Sequence, residues 1–237
     1  MRISVIRVPS ASVRRWTTAV ALAAGTLGGR PIVAQVVDGG TLVILGGGEV
    51  VGREEFTIRR GRTTGPGYTI STTAWYPATH ATTTLSFELE LGADSLPAAV
   101  QLEVTGPDPY RLYAALGTRR VTIRTVRPGR EAARELPGAE RHVVLDDSVF
   151  ALQALLPRDG TPGFAALMPR RDQRARAQVT WVGEARTEIG GVVHALQQVT
   201  LRLNGRIRHL WYDQGGRLMK AEDAGTGLVA ERRERPR

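Results

Sequence analysis

The amino-acid sequence predicts a mainly β protein built on a strongly curved antiparallel sheet. Three features predict it: runs of period-two alternation, short turns rich in Gly, Asn and Asp between them, and a single brief segment that is apolar on nearly all sides. Leu85, Phe87, Leu89 and Leu91 alternate with Ser86, Glu88 and Glu90. After Gly92-Ala93-Asp94-Ser95 the alternation resumes at Leu96, Ala98, Val100, Leu102 and Val104. Each such strand has one apolar and one wet face, the pattern of an antiparallel sheet with a core on one side.

The remaining elements follow the same logic. Thr41–Leu45 and Glu49–Arg59 flank Gly46-Gly47-Gly48 and read as a hairpin. Tyr68–Tyr76 is rich in Thr, Ile and aromatics and stops at Pro77. Val121 and Ile123, then Val179 and Trp181, mark further strands. Val199, Leu201 and Leu203 lead into Asn204-Gly205, the strongest two-residue hairpin signal in the chain. Ile207–Tyr212 and Arg217–Glu222 form a last hairpin, giving roughly ten to twelve strands. Helices do not alternate with these strands, which argues against a doubly wound parallel sheet.

Ser148–Leu156 (SVFALQALL) breaks the alternation and predicts one short buried helix, with Asp146, Asp147 or Ser148 as its N-cap and Pro157 as its stop. Arg158–Arg176, with Pro162, Gly163 and Pro169, is expected to be a loop over one end of the sheet. Trp211 shares a face with Ile207 and His209, while Leu210 and Tyr212 lie opposite. A strand apolar on both faces fits a sheet curled round a helix on one side and partly covered on the other.

Three domains of sequence are expected: a signal peptide over 1–34, a single curved β-sheet domain over 35–223, and a flexible charged tail over 224–237. The leader is basic from Met1 to Arg15, apolar from Trp16 to Leu27, and ends in small residues at Gly28–Ala34. Its twelve-residue apolar run is too short for the ~20 residues a spanning helix needs. Cleavage after Ala34 starts the mature chain at Gln35 and delivers it to the periplasm or beyond. Arg14-Arg15 hints at the twin-arginine route, but the flanks Ser12-Val13 and Trp16-Thr17 fit ordinary secretion better.

The net charge of +9 resembles a nucleic-acid signature until it is located. Arg2, Arg7, Arg14, Arg15 and Arg30 supply more than half of it from within the leader. The rest is spread over the chain, without a basic stripe on a reading element, so no nucleic-acid role is expected. The chain has no cysteine, which excludes disulfides, thiol nucleophiles and thiolate metal sites.

Specific chemistry is sparse. Gly46–Gly52 departs from the GxGxxG spacing and precedes a strand, so it reads as a turn and not a phosphate loop. Asp146-Asp147-Ser148 could do acid–base work or bind a cation, but a capping role fits its position better. His80, His142, His194 and His209 show no metal spacing, and Ser148 lacks a nucleophile-elbow context, so no catalytic residue, metal or cofactor is assigned.

Several stretches resemble a known group. Val43–Arg60, with its Val51-Gly52, Glu54, Phe56 and Ile58, is similar to the opening hairpin of uncharacterised secreted bacterial proteins. Tyr68, Ile70, Ala74, Tyr76 and Pro77 resemble their next strand. Val144-Leu145-Asp146-Asp147 before the apolar segment, and the closing hairpin Leu210–Asp213 with Gly216–Leu218, are also similar. That group distantly resembles the periplasmic lipoprotein-carrier superfamily. The resemblance implies a curved sheet round a helix that shelters acyl chains.

The expected function is therefore that of an exported, non-enzymatic envelope protein. It would bind an apolar or lipidic ligand, or an envelope partner, in the concave face of the sheet, through Phe87, Phe150, Leu152, Trp181 and Trp211. Two other readings stay open: an envelope hydrolase using Asp146, Asp147, His194 or His209, and a structural envelope factor without ligand. Membrane-spanning helices are not expected, and the oligomeric state is open.

Overall fold

Fifteen strands form one sheet in the computed structural model, which describes residues 35–62, 65–157 and 163–233, all within the unit Val33–Arg237. The expected signal peptide lies outside the described residues. In chain order the strands are β1 (Gln35–Gly46), β2 (Glu49–Arg62), β3 (Gly65–Tyr76), β4 (Thr83–Leu91), β5 (Pro97–Thr105), β6 (Tyr110–Leu116), β7 (Arg120–Arg127) and β8 (Arg130–Pro137). There follow β9 (His142–Val144), β10 (Phe164–Met168), β11 (Gln173–Ile189), β12 (Val192–Leu203), β13 (Arg206–Tyr212), β14 (Leu218–Asp223) and β15 (Leu228–Arg232). Their order across the sheet is β8-β7-β6-β5-β4-β3-β2-β1-β15-β14-β13-β12-β11-β10-β9. All neighbours are antiparallel except β9 and β10, so the sheet is mixed.

This order has a geometric consequence. β8 and β9 are the two edges, yet only residues 138–141 connect them. From Pro137 to His142 the chain can reach at most about 18 Å. A flat sheet of this many strands would be about 65 Å wide. The sheet must therefore curl until its edges approach, although they do not pair. Side chains close the seam: Arg174 of β11 donates to the Pro137 carbonyl (3.2 Å), and Arg134 of β8 donates to the Pro169 carbonyl (3.4 Å) and pairs with Asp172.

The hairpins follow the sequence pattern. Gly47 (φ 61°) and Gly48 (φ 88°) make the tight turn of β1–β2. Asn204 (φ 45°) and Gly205 (φ 87°) do the same for β12–β13, the two consecutive positive φ values of a type I′ turn. The inner face of the sheet carries one core that includes Leu42, Ile44, Phe56, Ile70, Phe87, Leu102, Ile123, Leu201, Leu210 and Ala230.

Four expectations are corrected. The number of strands is larger, because β6, β8, β9, β10 and β15 are short or weakly alternating. The residues from 224 onward are not all tail: β15 pairs with β1 and β14 and joins the first half of the sheet to the second. The stretch 158–176 contains β10 and the start of β11, with residues 158–162 outside the described set. No α-helix is found among the described residues. The apolar segment makes a five-residue 3-10 turn, Ala151–Leu155, within a chain from Leu145 to Leu156 that is almost wholly buried. With few residues between Ser148 and Pro157, and carboxylates at 146 and 147 drawn to arginines, a longer helix does not develop.

The junction of β1 and β15 rests on a buried ion pair. Arg232 donates to both carboxylate oxygens of Asp38 (2.6 and 3.2 Å), to the Gly39 carbonyl (2.5 Å) and to the Leu218 carbonyl (3.2 Å). Truncating Arg232 leaves Asp38 buried and unpaired. Arg232→Ala should lower stability by about 3–5 kcal/mol in urea denaturation, against less than ~0.5 kcal/mol for Arg202→Ala on the exposed side of β12.

Candidate ligand-binding cavity

The site grows from the way the buried segment is held. Glu54 lies on β2 in phase with Gly52, Phe56 and Ile58, so its side chain enters the core. Its carboxylate accepts the N–H of Phe150 (2.7 Å), the N–H of Ala151 (3.1 Å) and the hydroxyl of Thr72 (2.7 Å). Those two amides open the 3-10 turn, so the turn is capped from a strand 96 residues away in sequence. The expected cap from Asp146, Asp147 or Ser148 is not made: Phe150 precedes the turn, and no side chain of its own neighbourhood bonds to it.

Two tyrosines tether the same segment from distant strands. Tyr76 of β3 donates its hydroxyl to the Ser148 carbonyl (2.7 Å), and Tyr212 of β13 donates to the Gln153 carbonyl (2.7 Å). Gly52 makes the first contact possible, since a Cβ there would sit 2.5 Å from the Tyr76 ring. Asp146 instead forms a bidentate pair with Arg170 (2.7 Å at each oxygen) and accepts the Ser148 N–H (2.8 Å). Asp147 binds Arg208 (2.5 Å) and Arg171, and Arg208 reaches on to Asp223 (2.8 Å). The paired carboxylates thus fix a chain segment to the inner face. Held this way by arginines, they are not a free acid–base pair.

Held in place, the segment forms one wall of a partly open pocket of about 280 Å³. Leu152, Leu155 and Leu156 face Leu89, Leu91 and Leu96 at the β4–β5 turn, with Val143, Val144 and Phe164 from β9 and β10. The lining is mainly apolar. His142 is its buried polar member: Nδ1 meets the Ala139 carbonyl at 3.2 Å, and Nε2 has no partner among the described residues. A carbonyl oxygen can only accept, so Nδ1 is the donor in that contact.

Of the five expected ligand residues, the structure brings three to the main core. Phe87, Phe150 and Leu152 are buried there, and of these Leu152 borders the cavity. Trp181 is 37% exposed, beside Tyr212 at 6.3 Å between ring centroids. Trp211 packs with Ile189, Leu196 and Met219 in a separate cluster, on the face of β13 opposite Leu210 and Tyr212. A bulge in β11 between Trp181 and Gly183 switches which residues face the core, so the far part of that strand covers Trp211 from outside.

The candidate hydrolytic residues also separate. His209 shares the outer face with Trp211 (6.1 Å between rings), whereas Asp146 and Asp147 are bound on the inner face. His194 lies far along β12 opposite Thr187. No group of three or more metal-binding side chains occurs among the described residues. Sequence reasoning passed over Glu54 and Arg208, although each breaks an otherwise apolar inward phase: Gly52-Glu54-Phe56-Ile58 and Arg208-Leu210-Tyr212.

Burial pushes the Glu54 carboxyl up to about 7, with nearby Asp146 adding to it, against the opposing hydrogen bonds from Thr72, Phe150 and Ala151. A carboxyl raised on folding contributes most stability below its unfolded value and loses that contribution as pH climbs through the folded value. Stability should therefore decline from pH 4.5 to pH 8 by up to about 3 kcal/mol from this group. In Glu54→Gln the decline over that window should disappear, as read from urea midpoints at each pH.

Comparison with known proteins bears on the fold alone. No family model matches the chain, and no curated protein matches it. Among solved structures, the chain is similar to the β-barrel-like protein of domain of unknown function DUF1849 from Brucella abortus. The likeness covers 84% of this chain and 95% of that one, at 10% sequence identity and a TM-score of 0.51. The chain thus shares a β-barrel-like architecture with a protein of unknown function.

Proposed function

We propose that this protein is exported to the bacterial envelope and, without catalysing a reaction, holds a small apolar molecule or one end of an acyl chain in the Leu152-walled cavity. The partly open, mainly apolar pocket beneath the Leu152 segment carries this reading. Its ~280 Å³ lies near the lower end of small-molecule sites, so the occupant is a compact group or a chain terminus and not a whole phospholipid. Leucine, valine and phenylalanine side chains from four separate parts of the chain converge on it, and burial of apolar ligand surface is the driving force they offer. The three-part leader supports export, and the sequence motifs similar to secreted β-rich proteins and lipoprotein carriers support the same ligand class.

The capping of the turn by Glu54 and the two tyrosine hydroxyls gives the cavity wall a fixed backbone. Preorganisation of this kind reduces the ordering cost of binding. The buried Nε2 of His142, without a partner among the described residues, marks one polar spot on the wall, toward which a polar group of a ligand would orient.

Expression of the full chain in a bacterial host should yield a periplasmic product beginning at Gln35, read by intact mass. Native mass spectrometry and solvent extraction of that product should recover a bound apolar compound. Leu155→Trp, which fills the cavity, should abolish recovery while a thermal melt shows a folded protein; Leu96→Trp provides the same block from the opposite wall. Retention of the leader in a cytoplasmic product would overturn the export reading. A wild-type protein that repeatedly binds nothing would favour a purely structural envelope role.

A further inference from the structure

The inner face of β7 and β8 departs from the apolar rule of the rest of the sheet. On the outer face of the neighbouring strands arginine is matched by glutamate: Arg124 with Glu131 (2.7 Å), Arg120 with Glu135 (3.2 Å) and Arg111 with Glu103 (2.8 Å). On the inner face the register sets Arg127 directly opposite Arg130, beside the Pro128-Gly129 turn. Like charges directly opposed across a strand pair are destabilising, so the arrangement asks for an anion. Two steps along, Thr125 faces Ala132, and beyond them Ile123 faces Arg134.

The small side chains of Thr125 and Ala132 leave room between the arginines. The result is a polar cleft of about 270 Å³, roofed by Pro169–Asp172 and bounded by Tyr110 and Leu112 of β6. Arg170 and Arg171 complete its basic wall. Five arginines line this space, and the carboxylates that touch them are Asp108 on Arg127 (2.5 Å), Asp172 on Arg134, Asp146 on Arg170 and Asp147 on Arg171. Arg130 has no ion pair among the described residues, and Asp108 is 78% exposed, so its hold on Arg127 is a weak surface contact. The Arg127 guanidinium stacks over the Tyr110 ring at 4.5 Å, which keeps it pointed across the cleft.

We propose that this cleft is an anion site that takes a phosphate or phosphate monoester, held by Arg127 and Arg130 with Arg134 behind them. Planar guanidinium groups converging from two strands match the forked recognition of a tetrahedral oxyanion. The site is separate from the apolar cavity and does not depend on its being filled. Two sources present this chemistry, a free phosphate and a lipid headgroup.

The test is an NMR titration of the arginine Nε–Hε resonances of the purified mature protein at constant ionic strength. Inorganic phosphate should shift Arg127, Arg130 and Arg134 saturably, with chloride replacing it as the reference anion. Arg130→Ala should weaken phosphate binding at least tenfold, Arg130→Lys less than that, and Arg202→Ala not at all. Dihexanoyl phosphatidic acid in place of phosphate separates the sources: tighter binding identifies a lipid headgroup, and equal binding a free anion. Equal shifts with chloride, or unchanged affinity in Arg130→Ala, would overturn the proposal. Loss of apolar ligand with retained phosphate binding would fault the cavity reading alone.

Discussion

Residues 138–141 join the two edges of a fifteen-stranded sheet, and the shape of the molecule depends on that short link. A chain that leaves β8 and enters β9 within about 18 Å cannot serve two edges that stand ~65 Å apart. Curling is therefore imposed by connectivity, with the usual strand twist supplying its direction. Once the sheet is curled, one of its faces is interior, and every inward side chain must be apolar or satisfied. Residues 145–156, which lead on from β9, lie on that interior side.

That segment explains the unusual polar content of the core. A buried irregular segment exposes amides and carbonyls that no ladder satisfies. Here strands supply the partners: Glu54 for the amides of Phe150 and Ala151, Tyr76 for the Ser148 carbonyl, Tyr212 for the Gln153 carbonyl, and Arg208 for the Asp146 carbonyl (3.3 Å). The aspartates at 146 and 147 enter with their own arginines. Pairs of this kind contribute little net stability over apolar replacements, but each is costly to break singly. Their effect is to hold one segment at one place, and the apolar cavity is a consequence of where Leu152, Leu155 and Leu156 then come to rest.

Most strands of the hairpins were legible from alternation and turn chemistry. β4 and most of β5 show period-two patterns, and the glycine turns at 46–48 and 204–205 have the backbone that such residues favour. β8, β9 and β10 were not legible, because β8 is polar on both faces and the other two are too short to show a period. β15 was hidden by its charge: Glu231 and Arg232 look like tail residues until Arg232 is seen to pair with Asp38, 194 positions away. The candidate site was legible only in part. Leu152 reached the cavity, whereas Trp181 and Trp211 did not: Trp181 stands opposite core residue Val199 but is 37% exposed, and Trp211 lies on the outer face, opposite Leu210 and Tyr212, as the alternation of β13 has it.

The sequence by itself determined the strand chemistry, the hairpin turns, the absence of thiol chemistry and the existence of one apolar segment outside the alternation. These are local properties, written in periods of two residues and in the φ preferences of glycine and asparagine. The tertiary structure decided what that segment became. A nine-residue apolar run can form a helix, but here a glutamate on β2 and tyrosines on β3 and β13 hold it as a single 3-10 turn against the inner face. Those partners are remote in sequence and become neighbours only when the sheet curls, so no local pattern could have specified them.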